Sequence, residues 1–557
     1  MKSSESPLLS VSKLKIGFRQ GEAIKTAVEG ISFDLKPGES LGIVGESGSG
    51  KSITSLAIMG LLPLNAVIQQ GDIQLELDKG KPLDLLNASD DKLRSLRGKT
   101  ISMIFQEPMS ALNPLEKCGA QVAEAIKVHK KLSKSELKDH VLKLFERVEL
   151  PDPERAYNAY PHEISGGQKQ RVMIAMAVSC EPKLIIADEP TTALDVTVQG
   201  KILTILQKLC SEFNTALIFI THDLGVVSKV SDKLLVMRSG KVIESGSTDD
   251  VLHRPKKEYT RALIECRPRL NFSPYRLPIV GQEKIETSPK AKPAIDKEIL
   301  KVENLNLSFA MKKNWLGKPT AYFKALQDIN FHVMQGETLG LVGESGCGKT
   351  TLGRSLIKLV PIDSGSIQYQ GVDLAGMTEK EFKAFRKKIQ IVFQDPYGSL
   401  NPRFTVGESI SEPMIYHKVV AHRKEARTKS MELLDKVGLE KAAFSKYPHE
   451  FSGGQRQRVC IARALSVNPE FLICDESVSA LDVSVQAKVL NLLNDLKEEL
   501  NLTYIFISHD LSVVKYMSDR VMVMRKGRVV EIQDADDLYR KPESDYTRDL
   551  IKAIPEI

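Results

Sequence analysis

The chain has 557 residues, 42% of them hydrophobic and 27% charged, and a formal net charge of +7. That length exceeds a single domain, and the composition is that of a globular protein whose small charge specifies no partner. One Trp argues against a base-stacking nucleic-acid surface, and seven scattered cysteines without a CxxC pair exclude the usual zinc and redox patterns and fit a reducing cytosol.

The N-terminal stretch has no long apolar core and no cleavage site, so no signal peptide is expected. The first informative element is the short apolar run 41–44, which leads into Gly45-Glu46-Ser47-Gly48-Ser49-Gly50-Lys51-Ser52 and then a helical stretch over 53–61. GxxxxGK[ST] between a strand and a helix is a phosphate loop: its backbone N–H groups curl around phosphate oxygens at a helix N-terminus. Lys51 would reach the β- and γ-phosphates, and Ser52 would ligate Mg²⁺. A second apolar run ends at Gln106, whose amide could touch Mg²⁺ or water. The stretch from about 118 to 180 reads as mostly helical and contains Ser165-Gly166-Gly167-Gln168. Serine is a good N-cap, but two glycines in a first helical turn cost about 1 kcal/mol each, so they should serve a close approach of backbone to an anion.

Leu184–Asp188 reads as a buried strand that delivers an acid at its C-terminal end, where ligands bind in parallel sheets. Asp188 suits Mg²⁺. The adjacent Glu189, expected to point the other way by strand alternation, suits a general base on attacking water. Ala216–Thr221 is another strand-like run, and His222 after it is expected to contact the γ-phosphate and position water. Apolar strands alternating with helices indicate a parallel sheet covered on both faces. Residues 266–298, with five prolines and several lysines, read as a linker.

Then the chain repeats itself. Gly45 and Gly343 open matching loops 298 apart; Gln106 and Gln394 lie 288 apart; Ser165 and Ser452, Asp188 and Asp475, and His222 and His509 lie 287 apart. The near-constant offset marks a duplicated domain. The second copy has the loop Gly343-Glu344-Ser345-Gly346-Cys347-Gly348-Lys349-Thr350, the signature Ser452-Gly453-Gly454-Gln455 and the acid pair Asp475-Glu476. Lys349 and Thr350, Gln394 and Asp475, Glu476 and His509 take the roles given above to their counterparts. No apolar run approaches the ~20 residues of a membrane helix, so any membrane role needs other chains.

Phosphate loop, glutamine, SGGQ, Asp-Glu, Ala-Leu-Asp and histidine, in that order and spacing, resemble the ATP-binding cassette family over nearly all of both halves. The resemblance implies an α/β fold with two P-loop ATPase domains, 1–265 and 299–557. Each would be a RecA-like parallel-sheet core with an antiparallel β subdomain and a helical subdomain. It implies ATP and Mg as cofactors and a head-to-tail intramolecular pseudo-dimer. Lys51, Gln106, Asp188, Glu189 and His222 would then share one ATP with Ser452, Gly453 and Gly454. Lys349, Gln394, Asp475, Glu476 and His509 would share the other with Ser165, Gly166 and Gly167. Asp195 and Asp482 would lie at the domain seam, and Phe18 and Phe309 sit where the family places an aromatic against adenine.

A narrower likeness rests on Asn113-Pro114, Asn401-Pro402 and the tails RPKKEYTRALI and RKPESDYTRDLI, which are similar to those of importers of peptides, nickel and glutathione. It implies an ATP-hydrolysing motor subunit at the cytoplasmic face of a bacterial inner membrane, docked on two transmembrane permease subunits fed by a solute-binding protein, with no nucleic acid. The alternative is a soluble tandem ATPase acting on ribosomes, although that branch usually has a longer, strongly charged linker. Ile164 and Phe451 replace the leucine usual before SGGQ. Ser477-Val478 replaces Pro-Thr after Glu476, which is expected to loosen that turn. Cys266 stands alone, so no iron–sulfur cluster is expected.

Overall fold

Every position of Leu184–Asp188 is buried, as is every position of Ala216–Thr221 beside it. Such strands need neighbours on both edges and cover on both faces. They have them in a computed structural model that describes residues 6–78, 81–106, 111–191, 194–270, 274–281, 297–313, 319–479 and 481–554. The chain separates into two units, Met1–Ile264 and Glu265–Ile554.

In the first unit a six-stranded sheet runs in the order Lys241–Ser247, Lys233–Arg238, Ser40–Gly45, Ala216–Thr221, Leu184–Asp188, Ile101–Ile104. Only the first pair is antiparallel. The register sets Val44 beside Thr221, Asp188 beside Ile220 and Ile104 beside Ala187. The phosphate loop, the acid pair, His222 and Gln106 therefore leave the sheet at one edge, its C-terminal one. A separate four-stranded antiparallel sheet is built on Leu9–Gln20 and Ala23–Leu35. Helices Cys118–Lys127, Lys134–Arg147, Pro153–Asn158 and Gly166–Val178 fill the stretch expected to be helical.

The second unit repeats this plan. Its six-stranded sheet aligns Leu341 and Asp475 with Ile507, and Val392 with Cys474. Its antiparallel sheet is built on Glu298–Lys313 and Pro319–Met334, and helices occupy Val406–Tyr416, Arg423–Lys436 and Gly453–Leu465.

The start of the expected linker is not free chain. Leu277 exchanges two backbone hydrogen bonds with the buried side chain of Asn491, at 3.0 and 2.9 Å, and Tyr275 donates to Glu498 at 2.6 Å. An apolar-poor, proline-containing segment is thus held on the second unit by polar bonds, which hydrophobic periodicity does not reveal. Residues 271–273 and 282–296 of that segment lie outside the described residues.

Candidate active site

The helix after each phosphate loop starts earlier than the apolar pattern suggested, at the lysine itself: Lys51–Met59 and Lys349–Leu356. The reason is the preceding glycine. Gly50 (φ 98°) and Gly348 (φ 111°) cap the helices in the left-handed region, and a Cβ on either would lie 2.8 Å from the carbonyl oxygen of Ala27 or Ala325. Only glycine lets the loop press on the neighbouring antiparallel sheet. Lys51 Nζ donates to the carbonyls of Gly45 (2.8 Å) and Glu46 (3.0 Å), and Lys349 Nζ to those of Gly343 (2.7 Å) and Glu344 (3.1 Å). A buried ammonium inside a ring of backbone at a helix N-terminus is a phosphate cradle.

Thr350 Oγ1 donates to Asp475 Oδ1 at 2.9 Å, and the Ser52 hydroxyl stands beside Asp188 in the matching place. The remaining oxygens, Asp188 Oδ1 and Asp475 Oδ2, are buried without a hydrogen-bond partner. Burial pushes both carboxyls up, against the pull of the Ser52 and Thr350 hydroxyls. A buried acid oxygen without a partner is costly unless a cation meets it. Beside a hydroxyl and a phosphate cradle, these hard oxygens fit Mg²⁺. Among the described residues no three His, Cys, Asp or Glu side chains could cage a metal, so the fit rests on one carboxylate and one hydroxyl per unit.

The direction of the glutamates is not strand alternation, as the sequence suggested. The strands end at Asp188 and Asp475, and Glu189 (φ 47°) and Glu476 (φ 46°) sit in the left-handed region just beyond. That conformation costs a non-glycine residue about 1–3 kcal/mol and persists only where its surroundings impose it. Here each glutamate N–H is bound to a strand carbonyl, Ile220 or Ile507, at 2.9 Å. Both carboxylates receive two further partners. Glu189 accepts from Gln106 Nε2 at 3.1 Å and lies 3.2 Å from His222 Nδ1. Glu476 accepts from Gln394 Nε2 at 2.8 Å and lies 3.4 Å from His509 Nδ1. Glutamine and histidine, expected at Mg²⁺ and the γ-phosphate, both meet the glutamate here. Glu476 itself, ahead of Ser477-Val478, keeps the backbone conformation of Glu189 and the same bond to the neighbouring strand.

Burial alone would push both histidines down, but the hydrogen bond and charge of the paired glutamate outweigh it and hold His222 and His509 above the ordinary value. Conversely, burial would raise Glu476, and the His509 hydrogen bond and charge, with Lys349, hold it below. Glu476 is therefore an ionised base at neutral pH.

Ser165 and Ser452 cap their helices, and Gln168 and Gln455 close the capping box by accepting from the serine N–H at 3.0 Å. The Oε1 atoms of these glutamines, residues expected at ATP, are engaged within their own helix turn. The two glycines have different reasons. A Cβ on Gly167 would meet Val198 Cγ1 at 2.7 Å, and one on Gly454 would meet Val485 Cγ1 at 2.1 Å, so this glycine is required by packing inside the unit. Gly166 and Gly453 have only a leucine methyl, at 3.8 and 3.9 Å, and their faces are open. Asp195 and Asp482 cap the helices Val196–Glu212 and Val483–Leu500. Ala193 and Ala480 of the same motifs, and residues 107–110 after Gln106, lie outside the described residues.

Phe18 is half-buried and Phe309 is 41% exposed, so neither is a core aromatic. Phe18 pairs with Lys25 in the antiparallel sheet, on the strand whose Ala27 touches the phosphate loop. The sequence reading passed over Tyr546, whose hydroxyl accepts from the N–H of Glu344 in the second loop at 3.2 Å. The signal was present: EYTR and DYTR repeat 287 residues apart.

Two family profiles match the chain. "ABC transporter" covers residues 28–192 and 326–479, and "Oligopeptide/dipeptide transporter, C-terminal region" covers 243–292 and 530–557. The chain is similar to the glutathione import ATP-binding protein GsiA of Pectobacterium atrosepticum, 44% identical over 99% of this chain and 90% of that one. The protein of that name from Escherichia coli O6:H1 is 44% identical over 98% and 89%. Among solved structures, cbiO1 of Clostridium perfringens, part of the ABC transporter complex cbiONQ, is 30% identical over 44% of this chain and 93% of its own, with a TM-score of 0.38.

Proposed function

The chain belongs to the ABC transporter family and is an ATP-hydrolysing protein; on that premise we propose that it is the motor subunit of a solute importer that carries a peptide of about glutathione size. The observation that carries this is the pairing of full-length likeness to import ATP-binding proteins with a peptide-transporter tail after each unit. The ribosome alternative is not favoured by any of the relatives named above.

Lys51 and Lys349 draw the β- and γ-phosphates into the loops. Ser52 with Asp188, and Thr350 with Asp475, would hold Mg²⁺, which would neutralise charge on the phosphate oxygens. Glu189 and Glu476 take the proton of the attacking water, while the paired glutamine and histidine hold each carboxylate aimed. The open faces of Gly166 and Gly453 suit an anion from the opposite unit, which supports two composite sites in a head-to-tail pseudo-dimer. Phe18 and Phe309 stack on adenine.

Among the described residues no helix is long and apolar enough to cross a membrane. The subunit docks peripherally at the cytoplasmic face of the inner membrane on two permease subunits, with a solute-binding protein acting through them. The docking surfaces are the loops after Gln106 and Gln394. Asn113 and Asn401 each accept from a backbone N–H two residues on, at 3.0 Å, and Gln121 clamps the backbone of Asn113 at 2.9 and 3.0 Å, so the Asn-Pro pairs shape these loops. Leu112 and Leu400 are buried and cannot report contact; Leu115, 83% exposed, and the exposed Arg403 can. Cysteines at 115 and 403 should cross-link to permease cytoplasmic loops in membranes that hold the whole transporter. Uptake of glutathione-sized peptides should vanish with the gene. Cross-links absent from both positions, or intact uptake, would overturn the assignment.

A further inference from the structure

Both tails end in a short helix, Glu258–Glu265 and Asp545–Lys552, and both are fixed by the same device. Glu531, 5% exposed, accepts from the N–H groups of Glu543 (2.8 Å) and Ser544 (3.1 Å) and from Thr547 Oγ1 (2.7 Å). Glu244 accepts from Lys256 N (2.8 Å) and Lys257 N (3.2 Å), and Thr260 stands at the position that matches Thr547. Glu531 is tolerated at that burial because three donors meet it. That anchoring fixes the tyrosine beside each threonine. Tyr546 lies 4.6 Å under the Arg525 guanidinium and Tyr259 4.7 Å under that of Arg238. The halves have diverged in the residues after their acid pairs, yet each keeps this glutamate, threonine, tyrosine and arginine.

In the second unit the tyrosine reaches the phosphate loop. Its hydroxyl takes the N–H of Glu344, while the carbonyl of Glu344 accepts from Lys349 Nζ (3.1 Å) and Cys347 N (3.2 Å). Two residues past Arg525, Gly527 donates its N–H to the carbonyl of Cys347 at 2.9 Å. The back of the loop is thereby tied to the tail helix and to the Arg525–Arg528 turn that stacks on it.

We propose that the tail helix braces the phosphate loop, with Tyr546 as a positioning residue that sets the ATP affinity of the second unit. A phosphate cradle works when its inward N–H groups are already aligned. Holding Glu344 N–H outward removes conformers in which the loop points elsewhere, and apparent affinity scales with the competent fraction. The brace acts on binding rather than on chemistry, because Glu476, Gln394 and His509 stand on other strands.

The test is Tyr546→Phe in the full chain, on a Lys51→Ala background so that MgATP binding reports the second loop. Phenylalanine keeps the ring under Arg525 and deletes only the hydroxyl. Loss of one hydrogen bond should raise the MgATP dissociation constant about fivefold. In the otherwise wild-type chain it should raise KM for ATP with kcat within about twofold and melting temperature within about 2 °C. Tyr546→Leu, which also loses the stack, should bind ATP more weakly still. An unchanged dissociation constant in Tyr546→Phe, a fall in kcat without a rise in KM, or weaker binding only in step with a lowered melting temperature would each overturn the brace.

Discussion

The two glycines of each signature allow a test that separates packing from ligand contact. Replace Gly453 by alanine: the new Cβ meets nothing closer than Leu481 Cδ2 at 3.9 Å, ordinary van der Waals contact. Alanine in a helical turn is better than glycine by up to about 1 kcal/mol, so the variant should be as stable as wild type or slightly more so. Replace Gly454 instead and the Cβ lies 2.1 Å from Val485 Cγ1. Overpacking of that kind costs about 1–3 kcal/mol, and at about 2–4 °C per kcal/mol the second unit should melt several degrees lower. If the open face of Gly453 receives a nucleotide phosphate from the opposite unit, its added methyl stands where that phosphate must approach. A displacement near 1 Å can cost on the order of 10²-fold in rate. Steady-state ATPase of the purified full chain, read beside a thermal melt, should show Gly453→Ala stable and nearly inactive. A Gly453→Ala protein that melts normally and hydrolyses ATP within twofold of wild type would refute the composite-site reasoning. Gly454→Ala melting as wild type would refute the packing account of the second glycine.

Glu189→Gln with Glu476→Gln keeps the acceptor for Gln106 and Gln394 but removes the base; steady-state ATPase should fall about 10²- to 10⁴-fold while MgATP stays bound, and near-normal turnover would remove the role given to these residues. Lys51→Ala and Lys349→Ala should each impair transport strongly, because each lysine fills its own loop and both units carry a full set of groups; a fully active single variant would contradict two working sites. The His509–Glu476 pair should also leave a pH signature. His509 is held above its ordinary 6.5 and Glu476 below its ordinary 4.5. The raised histidine stabilises the fold fully below pH 6.5 and loses this as pH rises through its folded value; the lowered glutamate stabilises above pH 4.5 and loses this as pH falls through its folded value. The melting-temperature gap between wild type and His509→Gln should therefore be widest between those two values and shrink as pH rises through the raised value of the folded histidine. A gap that is flat, or that grows with pH, would mean the pair is not charged as described.

The parallel strands and phosphate loops were legible because strand burial and loop chemistry are local. Leu184–Asp188 shows as an apolar run ending in an acid, and the loop shows as glycines at fixed offsets. What stayed hidden is set by register across the sheet. Nothing near position 189 says that its N–H is bound by Ile220, so alternation was the only available guide to its direction, and it was wrong. Nothing near 106 or 222 says that both side chains converge on one carboxylate. Gly454 shows the same limit from the other side: its neighbour Val485 is 31 positions away in sequence, and a packing glycine and a ligand glycine have the same letter. The duplication eases that limit. Where two copies separated by 287 residues keep the same unusual arrangement, as Glu189 and Glu476 do with φ 47° and 46°, the local cost has been retained twice. By that measure Tyr546 stands with the residues that position the phosphate loop rather than with the packing. A buried carboxylate, a threonine and a stacked arginine are more than a helix of eight residues needs in order to stay attached, and both halves keep all three.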